Sequence, residues 1–275
     1  MNDYLRAVIL GLVQALSEFL PISSSGHLVL AGHLLGERTN SLTFDVGLHV
    51  GTLVAVFAYF WREWTEMAVH GARDVLRHGL RLTRWDWHSR LLLWIAVGTL
   101  PAVIAGFLFD SFIEEHLRQA WLIALLLIGV SVLIELGDRL PVRRVLLEHV
   151  GGRDALLIGL AQTAALVPGV SRSGVTITAA RTLGFDRSTA ARFSFLLSAP
   201  AVLGAATLKL SAAATGDEAV SWGPMIVGAL VSGVAGAAVI HWLLRYLQGH
   251  RMRVFVWYRI VLGIVVLTVA AASTL

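Results

Sequence analysis

The chain has 275 residues, of which 56% are hydrophobic and only 15% charged, and its mean hydropathy is +0.73. That balance excludes an ordinary soluble domain. The formal net charge of +4 is almost entirely arginine placed between apolar segments, which argues for a membrane rather than a nucleic-acid partner, and the absence of cysteine excludes disulfides and thiolate metal sites.

Residues 1–20 carry Asp3, Arg6 and Glu18 and lack a small-residue cleavage pattern, so they read as mature protein rather than a signal peptide. The first apolar stretches, at about 4–20 and 23–36, are short and are separated by Pro21. Proline removes a helix donor and clashes with the preceding turn, so residues 4–36 are predicted to form a re-entrant hairpin of two half-helices. Full-length spans follow at about 42–61, 91–110 and 120–137, each helical because a lipid-exposed backbone must satisfy its own hydrogen bonds. A second hairpin is predicted over 155–184, with segments at about 155–167 and 172–184 broken by Pro168-Gly169, and spans at about 193–210, 222–244 and 254–273 complete the chain. The expected fold is an all-α polytopic membrane protein with six transmembrane helices and two re-entrant helical hairpins. Trp61, Trp64, Trp85, Trp87 and Trp94 read as an aromatic belt.

Arginine placement orients these spans. If 62–90, 138–153, 181–192 and 245–253 are cytoplasmic, they hold sixteen Arg, against four Lys or Arg in the remaining loops and the amino-terminal segment. Both termini are then periplasmic. Three spans separate the hairpins, so these enter from opposite faces as an inverted-topology repeat, 1–140 and 141–275, within one integrated membrane domain. A shift of 148 positions lays Gly11 on Gly159, Gln14 on Gln162, Ser23 on Ser171, Ser25 on Ser173, Gly26 on Gly174 and Gly36 on Gly184, while 130 positions relate Gly98 and Gly106 to Gly228 and Gly236. Under the first shift Ser24 falls on Arg172.

Inverted repeats with broken helices place their site near the midplane, where the hairpin tips meet. Gln14 and Glu18 lie four apart and share a helix face. After Pro21, Ser23, Ser24, Ser25 and Gly26 open the next half-helix, whose free amides attract an anion. Ser24 and His27, three apart, are placed to present hydroxyl and imidazole to one ligand. In the second tip Ser171, Ser173 and Gly174 surround Arg172, a seat for phosphate oxygens. An arginine in the hydrocarbon region costs at least about 2.5–3.5 kcal/mol unless it meets a partner, and Glu18 or a bound anion would serve. A structural ion pair between Glu18 and Arg172 and simple close packing by the Ser-Gly runs are the competing readings. His33, Asp45 and His49 are read as helix-end or interfacial residues, with Asp45 and His49, at helical spacing near the outer mouth, placed to support the groups that touch the ligand.

The strings Gln14-Ala-Leu-Ser-Glu18-Phe-Leu-Pro-Ile-Ser-Ser-Ser-Gly-His27 and Pro168-Gly-Val-Ser-Arg172-Ser-Gly174 resemble the two signature motifs of the undecaprenyl-diphosphate phosphatase family, also called bacitracin-resistance proteins. Gly32-His33-Leu34-Leu35-Gly36 and Phe193-Ser-Phe-Leu-Leu197 extend the resemblance over essentially the whole chain. It implies hydrolysis of undecaprenyl diphosphate to undecaprenyl phosphate at the outer face of the bacterial cytoplasmic membrane, which returns the carrier to peptidoglycan synthesis and confers bacitracin resistance. By position it implies Ser24, His27 and Glu18 as catalytic groups and Arg172 as the phosphate-binding arginine. It also implies a divalent metal ion, Mg²⁺ or Ca²⁺, for which Glu18 and Gln14 are the ligand positions. Some relatives carry a second carboxylate where this chain has Gln14, and an amide is the poorer ligand, so the diphosphate itself is expected to hold most of the ion. The implied partners are a polyprenyl diphosphate lipid and membrane lipids, with no nucleic acid; the resemblance leaves room for a homodimer.

Two routes stay open at this point: attack by Ser24, with His27 moving a proton and Glu18 orienting it or binding metal, or direct attack by water. A transporter or flippase of polyprenyl phosphate lipids is the rival class, because inverted repeats with re-entrant hairpins are common in transporters. A phosphatidic-acid type of lipid phosphatase fits less well, since no His follows Ser171-Arg172 before His241.

Overall fold

The computed structural model describes residues 2–28, 42–117, 119–215 and 221–273. Gly32, His33 and Gly36 lie outside them, as does most of the second arm of the first hairpin. The long elements are all helices: α1 (Asp3–Phe19), α2 (Leu42–Tyr59), α3 (Trp61–His78), α4 (Trp87–His116), α5 (Ala120–Asp138), α6 (Gly152–Thr163), α7 (Arg172–Thr182), α8 (Arg187–Thr215), α9 (Trp222–Gly249) and α10 (Arg253–Ser273). Among the described residues, α5, α9 and the stretches Trp87–Phe109 and Arg187–Thr207 are long and apolar enough to cross a membrane, and α2 with α3 would make a fifth such segment. Helix α10 covers the last expected span. The chain is all-α and polytopic; the exact count of six spans with two hairpins stays an expectation.

One expected span differs. The segment read as 42–61 ends at Tyr59, and the axis turns by 71° into α3. The reason is amphipathic patterning: α3 gathers Arg62, Glu63, Glu66, Arg73 and Arg77 around a narrow buried stripe of Met67, Gly71 and Asp74, so the bilayer core cannot hold it. Its corner with α4 is tied by Asp74, whose Oδ2 accepts from the Asp86 amide at 2.6 Å and the Ser89 hydroxyl at 2.7 Å. The amide bond, and then the hydroxyl, hold that carboxyl below its usual range.

Packing across the two halves is reciprocal. Helix α1 lies on α9, and α6 lies on α4. A Cβ on Gly11 would stand 2.7 Å from the Gly228 carbonyl oxygen, and one on Gly159 only 2.0 Å from that of Gly98. Backbones approach this closely only where both helices carry small residues. Gly11 and Gly159 are the pair related by 148 positions, and Gly98 and Gly228 the pair related by 130. Each half therefore lends its hairpin helix to a span of the other. Helix α5 meets α10 and α2 meets α8, again one helix from each half. The described helices on either side of residue 140 interlock, and the breaks at Pro21 and Pro168-Gly169 lie between them.

Candidate functional site

Both turns are built alike. Helix α1 stops at Phe19, whose buried ring meets buried Phe195 of α8 edge-on at 5.4 Å. Pro21 prevents continuation, Ser23 adopts φ 79°, and residues 24–28 begin a new helix. In the second turn, α6 tightens into a 3₁₀ turn at Ala164–Leu166, the chain breaks at Pro168-Gly169, Ser171 adopts φ 75°, and α7 begins at Arg172. A positive φ costs a non-glycine residue about 1–3 kcal/mol. Among the described residues only these two serines, equivalent by the shift of 148, bear it outside glycine. Ser23 and Ser25 bring their Oγ atoms to 3.4 Å, and Ser171 and Ser173 do the same at 3.4 Å. Ser171 Oγ also caps α7 by accepting from the Gly174 amide at 3.2 Å. Gly26 and Gly174 lie directly beside Ser23 and Ser171, where a Cβ would come within 3.5 and 3.1 Å of the respective Oγ atoms.

The turns meet through side chains 154 positions apart in sequence: Arg172 Nη2 donates to Glu18 Oε1 at 2.7 Å. Ser173 Oγ donates to the Leu20 carbonyl at 3.0 Å, binding the second turn to the first. Behind the guanidinium, Nη1 reaches the Ser194 carbonyl at 3.4 Å, and Thr176 and Ser194 share a 2.6 Å hydrogen bond. Glu18 is the hub. Its Oε2 accepts from Ser24 Oγ at 2.7 Å and from Gln14 Nε2 at 3.3 Å, and His49 Nε2 lies 3.6 Å from it. His49 is oriented through Nδ1, which bonds the Asp45 carbonyl at 2.8 Å. Asp45 thus meets His49 through its backbone carbonyl, and His49 belongs to the cluster.

His27 turns elsewhere. Its Nδ1 lies 2.7 Å from the Ser23 carbonyl, an obligate acceptor, so Nδ1 carries the proton, and in the neutral ring Nε2 accepts from Tyr258 Oη at 2.6 Å. The two rings stack with centroids 5.5 Å apart. The i, i+3 spacing that predicts a Ser24 and His27 pair is present, but Glu18 folds back across the Pro21 break and takes the Ser24 hydroxyl.

For a cation, the site offers oxygen. Gln14 is fully buried, and its Oε1 has no hydrogen-bond partner among the described residues. An orphaned carbonyl oxygen next to a carboxylate suits a hard divalent ion, but one carboxylate already paired with Arg172 is too few ligands for a cage. These residues fit an ion that arrives with its own oxygen ligands. The described His and carboxylate cluster with metal-ligand spacing is instead His70, Asp86 and His88, on α3 and at the start of α4. There Asp86 caps α4 and pairs with both imidazoles.

Tyr258 carries no signal in the sequence, because its partner His27 is 231 positions away, and Ser194 stands in the 193–197 string with nothing in its spacing to mark its bonds to Arg172 and Thr176. Arg259, an arginine within the apolar run 254–273, is itself a signal.

A profile of the family described as Bacitracin resistance protein BacA matches residues 7–265. The chain is 48% identical to an undecaprenyl-diphosphatase of Geobacter sulfurreducens, over 95% of this chain and 96% of that one. It is 44% identical to one of Alcanivorax borkumensis, over 96% and 98% of the two chains, and 40% identical to one of a Nocardioides species, over 100% and 99%.

Proposed function

The chain belongs to the bacitracin resistance protein BacA family, and from that premise we propose that it is a multi-pass membrane enzyme that hydrolyses undecaprenyl diphosphate to undecaprenyl phosphate and inorganic phosphate. The reaction recycles the lipid carrier for peptidoglycan synthesis and underlies bacitracin resistance. The enzyme sits in the bacterial cytoplasmic membrane with both termini and the site on the periplasmic side. The observation that supports the chemistry best is the junction itself: Arg172, Glu18 and Ser24 share one hydrogen-bonded cluster between two helix starts.

The prenyl chain lies between helices and the diphosphate between the turns. As the diphosphate enters, the Arg172 guanidinium passes from Glu18 to phosphate oxygens, which it grips bidentately. Helix-start amides and the Ser23, Ser25 and Ser171 hydroxyls supply further donors, while Ser173 donates its one proton to the Leu20 carbonyl and holds the turns together. Glu18, released from its ion pair and 2.7 Å from Ser24 Oγ, takes the hydroxyl proton as Oγ attacks the terminal phosphorus. The new Oγ–P bond forms as the bond to the bridging oxygen breaks, and the electron pair leaves with undecaprenyl phosphate. His27, protonated at Nε2, is the proton source for that leaving oxygen. Water then cleaves the Oγ–P bond and releases inorganic phosphate. Gln14 Oε1 and Glu18 are the residues of this chain that would hold a divalent ion, Mg²⁺ or Ca²⁺, which when bound would offset charge on the diphosphate.

Purified protein in detergent, with no second compartment, tests the reading against a transporter. Release of phosphate from undecaprenyl diphosphate and a quenched phosphoserine at Ser24 are the expected results. Full activity in Ser24→Ala or Arg172→Ala would end the assignment.

A further inference from the structure

Arg259 is among the largest fully buried side chains, and no step of the proposed reaction uses it. No carboxylate among the described residues pairs with it; every acceptor is a carbonyl or a hydroxyl. Nη1 donates to the Pro21 carbonyl at 3.3 Å, in the first break. Nη2 donates to the Gly169 and Val170 carbonyls at 3.0 and 3.2 Å, in the second break, and reaches that of Leu126 at 3.4 Å. Nε lies 3.1 Å from Ser131 Oγ and 3.3 Å from the Leu127 carbonyl, both on α5. Where a helix breaks, its carbonyls lose their own chain's amides, and a buried carbonyl without a donor is costly. One planar fork thus satisfies both breaks at once and fixes their separation, which a lysine, a point donor, cannot do. Ser23 follows Pro21 by two residues and Ser171 follows Val170 directly, so the clamp adjoins both strained serines. The neighbouring residue, Tyr258, holds His27 through its Nε2.

We propose that Tyr258 and Arg259 form the positioning element of the site: Arg259 sets the distance between the two turns, and hence between Arg172 and Ser24, while Tyr258 fixes the His27 ring. A buried cation held without an anion is poor value for stability alone, since a well-packed apolar side chain of similar volume is often as stable or better. Its use here is geometric. The inference rests on the phosphatase reading above.

The test measures kcat and KM for phosphate release by purified, monodisperse variants, together with thermal stability. Arg259→Lys is expected to lower kcat about 100-fold, the scale of a 1 Å misplacement, with KM within about twofold of wild type. Tyr258→Phe is expected to lower kcat about tenfold at unchanged KM and stability. Arg181→Lys is the matched control, because Arg181 is equally buried and donates to the Phe185, Asp138 and Leu140 carbonyls at the far end of α7. It is expected to lose stability and keep kcat. Wild-type kcat in Arg259→Lys or Tyr258→Phe overturns the proposal, and so does an equal kcat loss in Arg181→Lys. If Arg259→Lys gives no folded protein, Ser131→Ala decides: it removes one Nε acceptor, and a kcat about threefold lower at unchanged KM supports the clamp, whereas wild-type kcat refutes it. A wild-type protein that releases no phosphate would instead overturn the phosphatase reading.

Discussion

The turns at Pro21 and at Pro168-Gly169 share a backbone and differ in the side chains they carry. Ser23 and Ser171 take φ values of 79° and 75°, and each turn brings two hydroxyls to the same 3.4 Å. Their central residues differ, Ser24 against Arg172, and so do their surroundings: by the shift of 148, Glu18 corresponds to Leu166 and His27 to Val175. One backbone form thus carries two sets of side chains, and on the proposed reading Ser24 makes the first turn the reactive centre and Arg172 makes the second the grip.

The largest effects should follow from removing either half of that division. Arg172→Ala and Ser24→Ala are each expected to lower kcat/KM by about 10³-fold, the scale of losing a key transition-state donor or a nucleophile. The double variant should be little worse than the poorer single, because the two act as a unit; additive losses would show that the turns work independently.

Packing under the turns gives the next contrast. Gly159→Ala should cost about 3 kcal/mol in unfolding measurements and Gly11→Ala less, because the Cβ clearances are 2.0 and 2.7 Å. Equal losses would mean that the helices slide apart freely at both contacts.

Gln14 and Gln162 are equivalent in sequence and both buried, but among the described residues only Gln14 hydrogen-bonds a carboxylate. Gln14→Glu is therefore expected to tighten Mg²⁺ binding about tenfold and Gln162→Glu to leave it unchanged. Titration of metal-stripped protein in the presence of a substrate analogue would check this.

The smallest effect tests the shared strain. Ser171→Ala keeps the positive φ and loses the cap to the Gly174 amide, so it should cost about 1 kcal/mol, whereas Ser171→Gly relieves the strain and should cost only a few tenths. The order of Ala below Gly should recur at Ser23; a reversed order at either turn would remove strain as a common property.

Much of this site was legible in the sequence because it is local. Pro21 and Pro168-Gly169 mark the breaks, and Glu18, Ser24 and Arg172 stand within a few residues of them. What sequence spacing misjudged was direction. His27 sits one helical turn from Ser24, yet its ring nitrogens go to the Ser23 carbonyl and to Tyr258, a partner 231 positions away. The positive φ at two serines was hidden, since that conformation is written in glycine or asparagine where a sequence advertises it. The bend at Tyr59 was hidden because an apolar run measures length but not where a charged face begins. Arg259 was legible in kind, as an arginine in an apolar helix, but its partners are carbonyls, which no side-chain pattern records.

The exchange of hairpin helices between halves also bears on how the protein is made. Helix α1 leaves the ribosome well before α9, yet the surface that accepts its Gly11 face is Gly228 on α9, more than two hundred residues later. Until then its buried Gln14 and Glu18 have no finished core to enter. Helix α1 must wait for α9, so the cluster around Glu18 is completed only after the helices of the second half have been made and Arg259 of α10 can tie both breaks together.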